Sequence, residues 1–141
     1  MAIIWRSGMS VSNDIIDYDH QFLINLINTI ELILQTPEEK DLLLEAFSQF
    51  HNYAKGHFQR EESIQRNIQY PNSLHHRGLH STLLSELNEL KQKIIETKTT
   101  DEIEKKAPEI VEFLKRWLVN HVLNEDLLLK PYLEKHPRGF S

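Results

Sequence analysis

Four stretches of this chain carry apolar residues at alternating spacings of three and four, and in each a histidine interrupts the pattern. Such spacing places side chains on one stripe of an α-helix, so each stretch predicts a helix with one buried seam. The first seam runs His20, Leu23, Ile27, Ile30, Leu34. The second runs Leu43, Phe47, Phe50, Ala54, His57, Glu61, Ile64, and the third His76, His80, Leu83, Leu87, Leu90, Ile94. The fourth runs Ile110, Leu114, Trp117, His121, after which the spacing breaks. Neither sustained period-two alternation nor an Asn-Gly hairpin signal is present, so the expected fold class is all-α.

Breaker residues divide the seams. Thr36 and Pro37 close the first, and Thr36 with Glu39 has the offset of a capping box for the second. Tyr70-Pro71-Asn72-Ser73 marks a turn, and Thr97 to Thr100 is a polar link. The expected organisation is a single domain over 1–141: a leader at 1–16, helices at about 17–35, 37–67, 73–97 and 101–134, and a tail at 135–141. Pro108 either kinks the fourth helix or begins its main part. Short links make neighbouring helices antiparallel, which predicts an antiparallel up-down-up-down four-helix bundle with an N-terminal extended leader. The polar seam positions lie early in helices one and three and late in helices two and four. In that topology all of them fall at one end of the bundle.

Composition narrows the partners. A net charge of -5 argues against nucleic acid, because phosphate binding needs a basic surface. The absence of Cys removes disulfides and thiolate metal sites. No apolar run reaches the length of a membrane span, and residues 1–10 lack the pattern of a signal peptide. A cytoplasmic protein with no membrane partner is expected. The chain begins at Met1 and ends soon after the fourth seam, which leaves little room for an attached effector domain.

A bundle interior buries imidazole and carboxylate only when they are compensated, since an unpaired buried charge costs several kcal/mol. One buried histidine is more often a hydrogen-bonded core residue than a ligand, and His57 with Glu61 alone could be a surface pair. Four helices delivering such groups to one level point instead to a transition metal. His51, His75 and His136 fall off the seams and are expected to face solvent or to be incidental. Spacing leaves one choice open. Glu125 is four residues after His121, on nearly the same helix face, whereas Asp126 is rotated by about 140° on a regular helix. Glu62, beside Glu61 but off the seam, raises a weaker version of the same question.

The chain resembles the hemerythrins, particularly the bacterial hemerythrin-like proteins. The resemblance rests on Asp17-Tyr-Asp-His20-Gln21, on His57-Phe-Gln-Arg-Glu61-Glu62, and on Tyr70-Pro71 followed by His76 and His80. It also rests on Trp117-Leu-Val-Asn-His121 with Asp126, and it covers nearly the whole chain, including Trp5 in the leader. The family pattern selects Asp126 over Glu125. It implies two iron ions in a non-haem, oxo- or hydroxo-bridged site: His76, His80 and His121 on one, His20 and His57 on the other, with Glu61 and Asp126 bridging. The iron with fewer histidines would then keep a position open for dioxygen.

What the resemblance implies is reversible dioxygen binding, for storage, delivery or scavenging, without enzymatic turnover. By the same resemblance Trp117, Leu118 and Val122 line the oxygen pocket, although plain core packing would also account for them. Val122 is smaller than the Ile often found at its position, which implies a roomier pocket and faster oxidation. The ligands are rich in His, and the chain lacks the Glu-x-x-His motif of carboxylate-rich di-iron oxidases. Alternative readings are an oxygen or redox sensor acting on a separate protein partner, and a redox enzyme such as an oxidase, a peroxidase or a nitric oxide-handling protein. Imidazole and carboxylate also suit zinc, manganese or cobalt.

Overall fold

Asn13 starts the first long helix. In the computed structural model, which describes residues 2–36 and 40–141 but not the side chain of His121, its side chain accepts hydrogen bonds from the backbone N–H groups of Ile15 and Ile16, at 3.1 Å each. This cap satisfies donors that the first turn leaves unpaired. Helix α1 (Asp14–Gln35) therefore begins earlier than the position near Asp17 expected from the seam. Helices α2 (Lys40–Asn67), α3 (Ser73–Glu96) and α4 (Thr100–Arg116) follow. The expected capping box of Thr36 with Glu39 lies outside the described residues.

These four helices form an antiparallel bundle, with α1 packed against α2 and α4, and α2 against α3. Pro108 lies inside α4, so it does not start the main helix. The capping residue is Thr99, whose hydroxyl accepts from the N–H of Glu102.

The fourth helix is not one regular α-helix reaching to Glu134. It passes into a π-helical segment, Trp117–Leu123, then into α5 (Asn124–Leu127) and, beyond a turn, α6 (Lys130–Leu133). A π segment pairs residues five apart instead of four, so it rotates the face presented by everything after it. Pro131, without an N–H, helps to break the run near its end.

Two apolar clusters bracket the polar layer. The larger includes Leu23, Ile27, Phe47, Phe50, Ala54, Leu83, Leu87, Leu114 and Leu118. The smaller joins Val11, Ile16, Ile64, Tyr70, Leu129 and Leu133. On α1 the order is Ile16, His20, Leu23; on α2 it is Ala54, His57, Glu61, Ile64. The bundle end expected to be polar is thus closed by its own apolar lid, and the histidine layer lies beneath it.

The first residues of the leader run along the larger cluster, and the tail meets the lid. The N–H of Ile3 donates to Asn28 Oδ1, and Asn28 Nδ2 donates back to the Ile3 carbonyl, both at 2.9 Å. Asn13 Nδ2 donates to the Phe140 carbonyl at 2.8 Å. Among the described residues, no helix is long and apolar enough to cross a membrane.

Candidate metal centre

Six of the seven expected ligand residues converge in one buried layer, and the side chain of the seventh, His121, lies outside the described set. His20, His57 and Glu61 are fully buried, and His76, His80 and Asp126 nearly so. Their donor atoms form two groups. One contains His20, His57, Glu61 and Asp126, and the other Glu61, His76, His80 and Asp126. The two carboxylates belong to both.

Each carboxylate divides its oxygens between the groups. Asp126 Oδ2 lies 2.7 Å from His20 Nε2 and 3.4 Å from His57 Nε2, whereas its Oδ1 lies 2.9 Å from His76 Nε2. Glu61 Oε2 lies 3.2 Å from His57 Nε2, and its Oε1 lies 3.2 Å from His76 Nε2 and 3.3 Å from His80 Nε2. Each carboxylate is thus oriented to serve two cations side by side.

The choice between Glu125 and Asp126 has a structural reason. Asp126 is buried among the imidazoles, while Glu125 is half-buried and belongs to neither donor group. Winding of the π-helical segment shifts the inward face by one residue, so the five-residue spacing after His121 brings the later acid into the layer.

Outer nitrogens of three histidines meet partners that seam reading did not supply. His57 Nδ1 lies 2.9 Å from Asp19 Oδ2, and His76 Nδ1 lies 2.9 Å from the side-chain amide of Gln65. His80 Nδ1 lies 3.0 Å from Glu62 Oε2, which gives that off-seam acid a supporting place beside the layer. Gln65 stands four residues after Glu61 on the same helix and could have been found by that spacing. Asp19 and Tyr53 carry no such signal, because their meeting depends on how α1 and α2 face each other. His51, His75 and His136 belong to neither donor group. His75 is exposed, and His136 stacks on Phe140 in the tail.

Charges in the layer shift one another's affinity for protons. Burial would lower the pKa of His57, but hydrogen bonding to Asp126 and Asp19, with the negative charge of Glu61, outweighs it and holds the imidazole well above its ordinary value. His76 is raised in the same way, chiefly by Asp126 against the opposing effect of burial. Burial would raise Asp126, yet the three histidines around it hold it well below the usual carboxylate range. Burial also opposes ionisation of Asp19, but His57, Arg60 and Tyr53 together bring its pKa down to about 2. Even so, among the described residues His80 Nε2 and Glu61 Oε2 are buried without a hydrogen-bond partner. Leaving such atoms unsatisfied costs about 1–3 kcal/mol each. A multivalent cation would satisfy both, so the donor set fits a metal pair.

Apolar groups enclose the layer. Phe58 stacks on His80 with ring centroids 4.0 Å apart and an interplanar angle of 9°. Trp117, Leu118 and Val122 are buried in the larger apolar cluster, and Trp117 Nε1 donates to the Leu83 carbonyl at 3.0 Å. Trp117 also borders a cavity of about 150 Å³ lined by Glu86, Phe113 and Arg116.

Comparisons with known proteins point to one family. A family model described as the hemerythrin HHE cation binding domain matches residues 11–133. A bacteriohemerythrin of Campylobacter jejuni is 28% identical over 131 residues, spanning 90% of this chain and 92% of its own length. A bacteriohemerythrin of Pseudomonas aeruginosa is 23% identical over 124 residues, 88% of this chain and 76% of that protein. The crystal structure of wild-type hemerythrin superposes with a TM-score of 0.78 at 20% identity, covering 94% of this chain and 98% of its own. That likeness concerns the fold.

Proposed function

The chain belongs to the hemerythrin family, and from that membership and its paired donor groups we propose that it binds dioxygen reversibly at two irons. His20 and His57 would hold one iron, and His76, His80 and His121 the other, with Glu61 and Asp126 shared between them. The observation that carries the reading is the division of each carboxylate's two oxygens between the two histidine groups. Iron bound there supplies the electrons that dioxygen binding requires.

The residues themselves select and protect. Two histidines against three would leave one iron short of a protein donor, with room for a small ligand. Asp19, Gln65 and Glu62 orient the imidazoles so that their Nε2 atoms face inward. Trp117, Leu118 and Val122 wall the layer with apolar surface, which excludes water and larger substrates and so favours binding over turnover. The names of the bacterial relatives agree with this reading.

The test is an optical spectrum of iron-loaded protein reduced without air, recorded before dioxygen is admitted, after it, and after its removal. A visible band that appears with dioxygen and vanishes on its removal supports a reversible carrier. Irreversible conversion to a ferric spectrum rejects carriage in favour of redox sensing or enzymatic chemistry, and the absence of any iron-dependent spectrum rejects the di-iron site.

A further inference from the structure

Each donor group contains one histidine backed by a carboxylate. Asp19 stands behind His57 at 2.9 Å, and Glu62 behind His80 at 3.0 Å. His76 is backed by the neutral amide of Gln65, and His20 Nδ1 has no hydrogen-bond partner among the described residues. A carboxylate behind a ligating imidazole fixes its tautomer and makes it a stronger donor.

The two backing carboxylates differ in setting. The Glu62 side chain is 20% exposed and faces the exposed Arg77 at 3.4 Å, so solvent screens its charge. Asp19 is buried, and its charge acts through a less polar medium. It accepts hydrogen bonds from the Tyr53 hydroxyl at 2.7 Å and from Arg60 Nε and Nη2 at 2.9 and 3.0 Å. These donors draw on the charge that Asp19 would otherwise direct at His57.

Resting on the di-iron reading, we propose that Asp19 is a positioning residue that lowers the reduction potential of the metal pair through His57, and that Tyr53 moderates it. A more strongly donating imidazole stabilises the ferric state over the ferrous one. Replacing the Asp19 carboxylate with an amide weakens that donation and raises the potential. Removing the Tyr53 hydroxyl leaves Asp19 with more charge to share and lowers it. A purely structural contact between α1 and α2 gives no such reversal, because both variants would merely loosen the same contact.

The experiment compares unaltered protein with Asp19→Asn, Tyr53→Phe and Glu62→Gln. Iron-loaded samples are titrated potentiometrically, and metal-free samples are titrated with zinc against a competing chelator. Asp19→Asn is expected to shift the first ferric-to-ferrous equilibrium about tenfold toward reduction, or about 59 mV upward. Glu62→Gln shifts it less in the same direction, and Tyr53→Phe shifts it downward. Zinc affinity falls about tenfold in Asp19→Asn. A two-iron Asp19→Asn protein with an unchanged midpoint overturns the inference and leaves the di-iron reading standing. Shifts of the same sign in Asp19→Asn and Tyr53→Phe also overturn it. Failure of the unaltered protein to take up two irons overturns the di-iron reading, and the inference with it.

Discussion

Asp126 Oδ2 lies 2.7 Å from His20 Nε2, joining α1 to α5 across 106 residues of sequence. The same carboxylate reaches His57 and His76, so this one side chain touches three of the other helices' histidines. Replacing it is therefore expected to damage both donor groups at once. Asp126→Ala should weaken metal binding by more than about 100-fold, the upper range for losing only an outer partner. Glu125→Gln should retain two metals per chain. The metal-to-protein ratio after dialysis distinguishes the two positions, and a Glu125→Gln protein that loses metal while Asp126→Ala keeps it would reverse the assignment.

Metal binding should release protons, because the pKa values of His57 and His76 are raised in the metal-free layer and a ligating imidazole must be neutral. Affinity for zinc should therefore rise with pH. Calorimetry in buffers of different ionisation enthalpy measures the protons released, and a pH-independent affinity would contradict the raised pKa values.

The metal-free protein should have an acid-sensitive window to which both Asp19 and Asp126 contribute. The pKa of Asp19 falls from 3.8 to about 2 on folding, so its stabilising contribution is present above 3.8 and is lost as pH falls through about 2. His57 has the opposite sign. Its raised pKa contributes stability fully below 6.5, and that contribution is lost as pH rises through the folded value. Denaturant midpoints measured across pH should show both losses, and Asp19→Asn should shrink the acid limb and weaken the His57 limb, because Asp19 also helps to raise the pKa of His57.

Phe58 combines core packing with support for His80. It is 2% exposed and packs face to face with that imidazole. Phe58→Ala should cost about 3–5 kcal/mol by chemical unfolding, as large-to-small changes in packed cores do. Phe58→Leu keeps most of the volume and should cost under about 1.5 kcal/mol.

Asn13 is a test of the cap separate from the metal layer. Asn13→Ala should cost about 1 kcal/mol, because it removes the acceptor for the N–H groups of Ile15 and Ile16. Asn13→Asp should preserve the cap. Metal content in both variants should match that of the unaltered protein.

Hydrophobic spacing was sufficient to identify four helices, their antiparallel order and the inward histidines, because burial of a seam is dictated by a period that one strand of sequence displays. His20, His57, Glu61, His76 and His80 were legible for that reason. Asp126 was not legible from periodicity, which assumes 3.6 residues per turn and favours Glu125. Resemblance to a family selected it, and the π-helical winding before it supplies the physical cause.

The outer partners divide along the same line. Gln65 follows Glu61 at a helical spacing, so local geometry contains it. Asp19 beside His57 and Tyr53, and Glu62 beside His80, come together only when α1, α2 and α3 have taken their mutual rotations and heights. The sequence alone determined which groups would be buried at one level of the bundle. The tertiary structure decided which oxygen faces which nitrogen, because hydrogen bonds between helices depend on side-chain direction to within an ångström, and one-dimensional periodicity contains no such information.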